Sequence, residues 1–202
     1  MPASLSHAAP ARLRSPLRPV LAAAFVALAL AGCGSSTPSE VYDLTAPVGA
    51  ARQSPGRSQL VVAEPTALQP LESDRIVVRS ADGSVTSVGG VQWSDRLPRL
   101  LQTRLVQAFE NQGRAVARAG VGVNPDSIVQ TDIRFFGVSV NGAAQATVEL
   151  SVKIVNNTSG KITASRVFKG AVPLSDISGK TAALALDQAA SRVFADVVRW
   201  AR

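Results

Sequence analysis

The sequence predicts a single domain of the α/β (α+β) class at residues 41–202, in which two main amphipathic helices pack on a mixed β-sheet. Two segments, near residues 94–113 and 178–200, carry apolar residues at helical spacing along one side. The segments before and between them alternate apolar and polar residues, as half-buried strands do. A helix with one apolar side must bury it against another layer, and a mixed sheet is the natural partner for both.

The first 32 residues have the pattern of a secretory signal peptide. Arg12, Arg14 and Arg18 precede residues 20–30, which contain neither a charged nor a polar side chain. A transmembrane helix needs about 20 apolar residues, so this run is too short to span a bilayer. A positive segment followed by a short apolar segment is typical of a signal peptide, and a buried helix of the domain is the alternative.

The apolar run ends in Leu30-Ala31-Gly32-Cys33, which resembles the bacterial lipobox. That resemblance implies diacylglyceryl transfer to the Cys33 sulfur, cleavage before Cys33 and acylation of the new amino terminus. Two or more acyl chains anchor a protein durably, whereas one anchors it only marginally. The next residue is Gly34 and not Asp, which in the sorting pattern of such lipoproteins favours the outer membrane over the inner. The alternative is a free thiol in a leader.

The small, polar residues 33–40 form a lipidated flexible tether in this interpretation. Four short strands are predicted next, with loops rich in Pro, Gly and Ser between them. They are residues 41–46, 60–64, 75–79 and 85–88. Asp82-Gly83 lies between the last two and is typical of a hairpin turn.

The first helix is predicted from Ser94 to Gly113. Ser94 is a suitable N-cap, Asp95 suits the positive end of the helix dipole, and Pro98 is tolerated in a first turn. Gly113 is a suitable C-cap. Apolar side chains recur at every fourth residue, at Leu97, Leu101, Leu105 and Phe109.

The second half predicts a β-meander and a final helix. The predicted strands are residues 114–118, 128–140, 146–154 and 162–172. A change of inward parity near Phe135-Phe136 indicates a bulge. As neighbours on a strand, these two residues place one ring on each side of the sheet. One ring would then lie in the core, and the other could line an interface or a lipid-facing groove. Residues 178–180 lead into the final helix.

Composition excludes several classes of site. The chain has one His, at position 7, and one Cys, so removal of the leader leaves no histidine for a Ser-His-Asp or Cys-His mechanism. A single Cys closes no intramolecular disulfide and builds no thiolate metal site. Residues 120–122 contain G-x-G without a third glycine. We therefore predict no catalytic residue, no cofactor and no metal. Removal of the leader with its three arginines would leave 18 basic and 14 acidic residues, a net charge of +4 that is too diffuse to indicate nucleic-acid binding.

Four residues are candidates for contact with a partner protein. Trp93 and Tyr42 are each either core residues or interface anchors, since aromatic side chains are enriched at binding hot spots. Arg96 and Arg99 belong either to a solvated helix face or to a docking patch for an acidic partner or for lipid headgroups.

Several short motifs follow one another along the domain. They are Tyr42-Asp43-Leu44 soon after Cys33, Leu60-Val61-Val62 before Pro65, Leu71, Asp74-Arg75-Ile76-Val77-Val78-Arg79, and Trp93 with Leu97, Leu100-Leu101 and Leu105. In this order they resemble the ABC-type transport auxiliary lipoprotein family, the paraquat-inducible protein C-like lipoproteins. The resemblance runs from about residue 41 to residue 200.

This resemblance implies an anticodon-binding-domain-like architecture and a non-catalytic role. The lipoprotein would dock the periplasmic part of an ABC transport system at the outer membrane, beside a permease, an ATPase and an MCE-domain lipid-binding protein. ATP hydrolysis would belong to a partner, and homo-oligomeric rings are known in such families. The alternatives are a structural lipoprotein that assists lipopolysaccharide or outer-membrane assembly, and a carboxylate-based hydrolase.

Overall fold

The computed structural model describes residues 39–49, 58–120 and 122–201. The predicted signal peptide, Cys33 and most of the predicted tether lie outside these residues. The described part contains two helices, α1 (Leu97–Glu110) and α2 (Gly179–Trp200). Its eight strands are β1 (Glu40–Tyr42), β2 (Leu60–Val62), β3 (Arg75–Ser80), β4 (Val85–Trp93), β5 (Val116–Arg118), β6 (Ser127–Asn141), β7 (Ala143–Asn156) and β8 (Ile162–Pro173). The predicted α+β class is confirmed. Neither helix in the described part is long and apolar enough to cross a membrane.

The sheet branches at β6. One edge of β6 pairs antiparallel with β7 along its whole length, and β8 continues the sheet beyond β7. The other edge pairs parallel with β2 in its first part and with β3 in its last part. β5 adds to β2, while β4 and then β1 add to β3. One long strand therefore joins three branches of a mixed sheet.

Both helices pack on the same core, and Trp93 lies at its centre. The Trp93 ring is 1% exposed and meets the Phe136 ring edge to face, with 5.7 Å between centroids. Aromatic pairs in this geometry stabilise a core beyond the area that they bury. The predicted apolar faces of both helices are buried, including Leu101 and Leu105 of α1 and Leu186 of α2.

The predicted start of α1 is wrong by two residues. The N-cap position is Arg96, which makes no side-chain capping hydrogen bond. Ser94 instead lies beside β1, where its N–H donates to the Tyr42 carbonyl oxygen at 2.7 Å. The first helical N–H, that of Leu97, donates to the Ser73 carbonyl oxygen at 3.0 Å. A neighbouring loop therefore satisfies a donor that sequence analysis assigned to a serine cap.

Other boundaries differ for similar reasons. β4 runs five residues beyond its predicted end because β1 pairs with its last three residues. Asn111 caps the end of α1, and Gly113, at φ +72°, turns the chain two residues later. The predicted bulge of β6 is confirmed between Ile133 and Phe135. Ser178 caps α2 and accepts a hydrogen bond from the Thr181 N–H at 3.4 Å.

At the junction of β3 and β6, replacing Gly137 by alanine should destabilise the domain more than the same replacement of Gly89 in β4. A Cβ on Gly137 would lie 2.4 Å from the Val77 carbonyl oxygen, whereas a Cβ on Gly89 would meet nothing within 4 Å. Gly137→Ala should lower the free energy of unfolding by about 1–3 kcal/mol, as overpacking does. Gly89→Ala should change it by less than about 0.5 kcal/mol. Urea denaturation measures both, and equal effects would contradict the packing described for this junction.

Candidate functional site

The four predicted contact residues lie at β1, the end of β4 and the start of α1. Tyr42 lies opposite Trp93 in the register of β1 and β4, and Arg96 and Arg99 follow at the start of α1. We call these four residues the α1 corner. Adjacent parallel strands and a short connection thus bring together residues that are far apart in the sequence.

The two aromatic residues of the α1 corner have different positions. Trp93 is a core residue, so its ring offers no surface to a partner in this conformation. Tyr42 is half-buried, and its hydroxyl donates to Glu40 Oε2 at 2.6 Å. This hydrogen bond to a carboxylate raises the pKa of Tyr42 above its ordinary value of 10.0.

The arginines of the α1 corner are already paired with carboxylates. Arg96 donates to Glu64 Oε1 and to Glu72 Oε2, each at 3.0 Å, and half of its side chain is exposed. Arg99 Nε lies 3.3 Å from Asp95 Oδ2. Two guanidinium groups therefore face three carboxylates, and the corner has no excess of positive charge. This pairing argues against a docking patch for an acidic partner. Through its two ion pairs, Arg96 connects residues 63–74 to the start of α1.

A second feature lies on the face of the sheet away from the helices. A cavity of ≈ 540 Å³ opens between residues 66–71, the outward side of the β3–β4 hairpin and the bulge of β6. We call it the outer cavity. Its apolar lining comes from Ala67, Leu68, Pro70, Leu71, Val77, Val85, Ile133 and Phe135. This volume falls within the range of about 300–1,000 Å³ found for small-molecule sites.

The predicted separation of the two phenylalanines is confirmed. Phe136 lies in the core against Trp93, whereas Phe135 lies outside that core cluster and lines the outer cavity. The Arg79 guanidinium carbon sits 3.9 Å from the centroid of the Phe135 ring, which is cation–π contact. Phe135 is thus covered by a charged side chain and not by a helix.

The charged groups around the outer cavity are not equally neutralised. Asp132 accepts from Thr66 Oγ1 at 2.5 Å and from Lys153 Nζ at 3.1 Å. Arg134 lies 3.5 Å from Glu149. Among the described residues Arg79 makes no ion pair. The cavity therefore has one guanidinium group without a carboxylate partner.

Sequence analysis treated residues 65–74 as a loop and so missed the outer cavity. Thr66 forms a single parallel bridge to Asp132, and the chain then leaves the sheet before β3 returns to β6. Leu68 and Leu71 are apolar residues in a segment otherwise typical of a loop, and they could have indicated that this segment covers an apolar surface. No group of three or more potential metal ligands occurs in the described ranges.

Comparison with known proteins identifies relatives. The profile of the family described as ABC-type transport auxiliary lipoprotein component matches residues 42–198. An uncharacterized protein of Bradyrhizobium diazoefficiens is 30% identical over 175 residues, which is 85% of this chain and 47% of that protein. The chain thus spans about half the length of this curated relative.

Solved structures share the fold. A protein of Xanthomonas campestris is 31% identical in sequence and superposes with a TM-score of 0.71, over 80% of this chain and 94% of that one. A second, uncharacterized protein is 15% identical, with a TM-score of 0.65 over 82% of this chain and 99% of that one. The second likeness concerns the fold alone.

The hydrogen bonds at Asp132 predict a titration effect. The Thr66 hydroxyl first, and Lys153 second, hold the pKa of Asp132 below its ordinary value of 3.8. Thr66→Val should raise this pKa, measured by carboxyl ¹³C NMR, and Thr86→Val, at an exposed position of β4, should not.

Because the pKa of Asp132 is lower in the folded protein than in the unfolded chain, Asp132 contributes stability above its unfolded pKa. This stability is lost as the pH falls through its folded pKa. The stability difference between Thr66→Val and the wild type should therefore shrink below about pH 4. An unchanged pKa in Thr66→Val would contradict the hydrogen bond.

Proposed function

The chain belongs to the family of ABC-type transport auxiliary lipoprotein components, and from that membership we propose that it is a non-catalytic, lipid-anchored accessory subunit of an ABC transporter. The single observation that carries the proposal is that the family match covers nearly all of the described domain. Cys33, at the end of a lipobox-like sequence, precedes the matched region by nine residues.

In this proposal the transporter is an MCE-type system that moves phospholipid, and the chain docks its periplasmic part at the outer membrane. Gly34 after the lipidated cysteine supports the outer membrane. The resemblance of the short sequence motifs to paraquat-inducible protein C-like lipoproteins supports an MCE-domain protein as the partner. Energy from ATP would enter through a separate ATPase subunit.

The anchor restricts where the domain can work. Glu40, the first residue of β1, follows Cys33 by seven residues, and a fully extended chain of that length reaches at most roughly 25 Å. The acyl chains would therefore hold β1 close to the bilayer surface. Tyr42 of the α1 corner is the last residue of β1, so a partner that binds the domain at this corner would also lie near the membrane.

We place the partner contact at the exposed part of the α1 corner. Tyr42 and Arg99 present polar groups on an apolar body, the kind of side chain enriched at interfaces. Trp93 supports this surface from the core, and Arg96 fixes the adjoining chain through Glu64 and Glu72. Since the arginine charges are balanced by carboxylates, shape and hydrogen bonds would determine recognition more than net charge.

Membrane attachment can be tested together with partner identity. Detergent-solubilised native protein should co-purify with an ATPase, a permease and an MCE-domain protein, as identified by mass spectrometry. Cys33→Ala should leave the protein soluble in the periplasm or held as an uncleaved precursor, because no thiol remains to accept the diacylglyceryl group. A processed Cys33→Ala protein in the membrane fraction would contradict anchoring. Co-purification with an outer-membrane β-barrel alone would contradict the transporter role.

The contact surface can be tested with a matched pair of charge reversals. Arg99→Glu, on the exposed side of α1, should lower the amount of co-purified transporter roughly tenfold, since it removes the guanidinium donors offered to the partner and places a carboxylate beside Asp95. Arg166→Glu, at an exposed position of β8, makes the same change on a strand that β7, β6 and β3 separate from β4, and it should leave co-purification unchanged. Thermal unfolding checks that both variants remain folded. Equal co-purification with both variants would contradict the α1 corner as the contact surface.

A further inference from the structure

We propose that the outer cavity binds a long-chain fatty acid, with the acyl chain against Phe135 and the carboxylate on Arg79. The proposal goes beyond the tethering role and stands or falls independently of it. It follows from three properties of the cavity, which are its apolar wall, its exposed apolar rim and its one guanidinium group without a carboxylate partner.

The wall of the cavity suits a hydrocarbon chain. Val77, Ile133 and Phe135 line it from the sheet, and Leu71 lines it from the segment that crosses above β6. Each of these four side chains is less than a tenth exposed, and Leu71, Val77 and Ile133 also belong to the core cluster, so packing fixes the wall in place. A preformed apolar concavity with a few polar groups is the usual form of a site for a small apolar ligand.

The rim of the cavity leaves apolar side chains in water. Leu68 is 83% exposed and Val85 is 46% exposed, and both belong to the lining. Single exposed apolar residues are common, but here two of them border one concave apolar surface. An acyl chain between them would remove both from water, which is favourable.

The charge at the cavity selects an anion. Lys153 and Thr66 satisfy Asp132, and Glu149 faces Arg134, so these groups offer no net charge to a ligand. Arg79 stacks on Phe135 and makes no ion pair within the described part of the chain. A guanidinium group stacked on a ring keeps its N–H edges directed outward, and a carboxylate matches that edge with two parallel hydrogen bonds.

An apolar side chain of a partner protein is the competing occupant of the cavity. Such a side chain would cover Leu68 and Val85, but it would leave Arg79 without an anion. The cavity also has the volume of a small-molecule site. The fatty acid accounts for the apolar surface and the cation together.

Photocrosslinking tests the proposal on the full processed lipoprotein in phosphatidylcholine nanodiscs. The probe is palmitate with a diazirine in its acyl chain, and mass spectrometry maps the labelled residues. Labelling should concentrate in residues 66–71 and 133–135. The methyl ester of the probe, which has no charge, should label these residues roughly fivefold less, because it forms no charge-assisted hydrogen bonds.

Two variants and a matched control test the role of charge. Arg79→Gln should lower palmitate labelling roughly fivefold, while Arg75→Gln, on the same strand and outside the cavity lining, should not change it. Leu68→Asp changes an exposed side chain, so it should leave the fold intact, and it should lower labelling because it places a carboxylate at the rim.

Several results would overturn the fatty-acid site. These are labelling spread evenly over the chain, equal labelling by palmitate and its methyl ester, or wild-type labelling in both Arg79→Gln and Leu68→Asp. Wild-type labelling that disappears when the transporter is present would assign the cavity to a partner and also overturn it. Transporter co-purification measured with the same variants should be unchanged, so failure of the fatty-acid site and failure of the tethering role give different results.

Discussion

The fold depends on the hydrogen bonding of one strand, β6, to three others. One edge of β6 is fully used by β7, and the opposite edge must accommodate both β2 and β3 in the same direction. Two parallel strands that follow one another along the same edge require the chain to leave the sheet between them. Thr66 holds the departing chain to Asp132, and the segment from Ala67 onward then closes the outer cavity. The cavity is thus a consequence of strand pairing.

The two faces of β6 contribute to different features, the core on one side and the outer cavity on the other. Because side chains alternate along a strand, Phe136 enters the helix-covered core while Phe135 faces the opposite side. The bulge at Arg134 adds one residue to β6 relative to β7, so that Ile133 and Phe136 both belong to the core cluster while pairing with β7 continues. Trp93 connects the core to the α1 corner, so the proposed contact surface and the outer cavity share one rigid framework. A ligand in the cavity and a partner at the corner would therefore act on the same scaffold.

Local patterns determined most of what could be predicted. Alternation in β7, the helical spacing of Leu101 and Leu105, and the Asp82-Gly83 turn depend on near neighbours in the chain, and all three are found in the structure. The start of α1 could not be predicted because a distant carbonyl oxygen, that of Ser73, satisfies its first N–H. Arg96 likewise depends on Glu64 and Glu72 across the fold. The outer cavity was missed because it arises from strand order, which no local pattern encodes.

We propose that acyl chains at Cys33 hold this domain against a membrane, where it serves a transporter. Intact-mass spectrometry of the protein extracted from native membranes shows whether these chains are present. The expected product is a chain that begins at Cys33 and carries the added mass of its acyl groups. A mature chain with an unmodified thiol, or one that still retains residues 1–32, would contradict it.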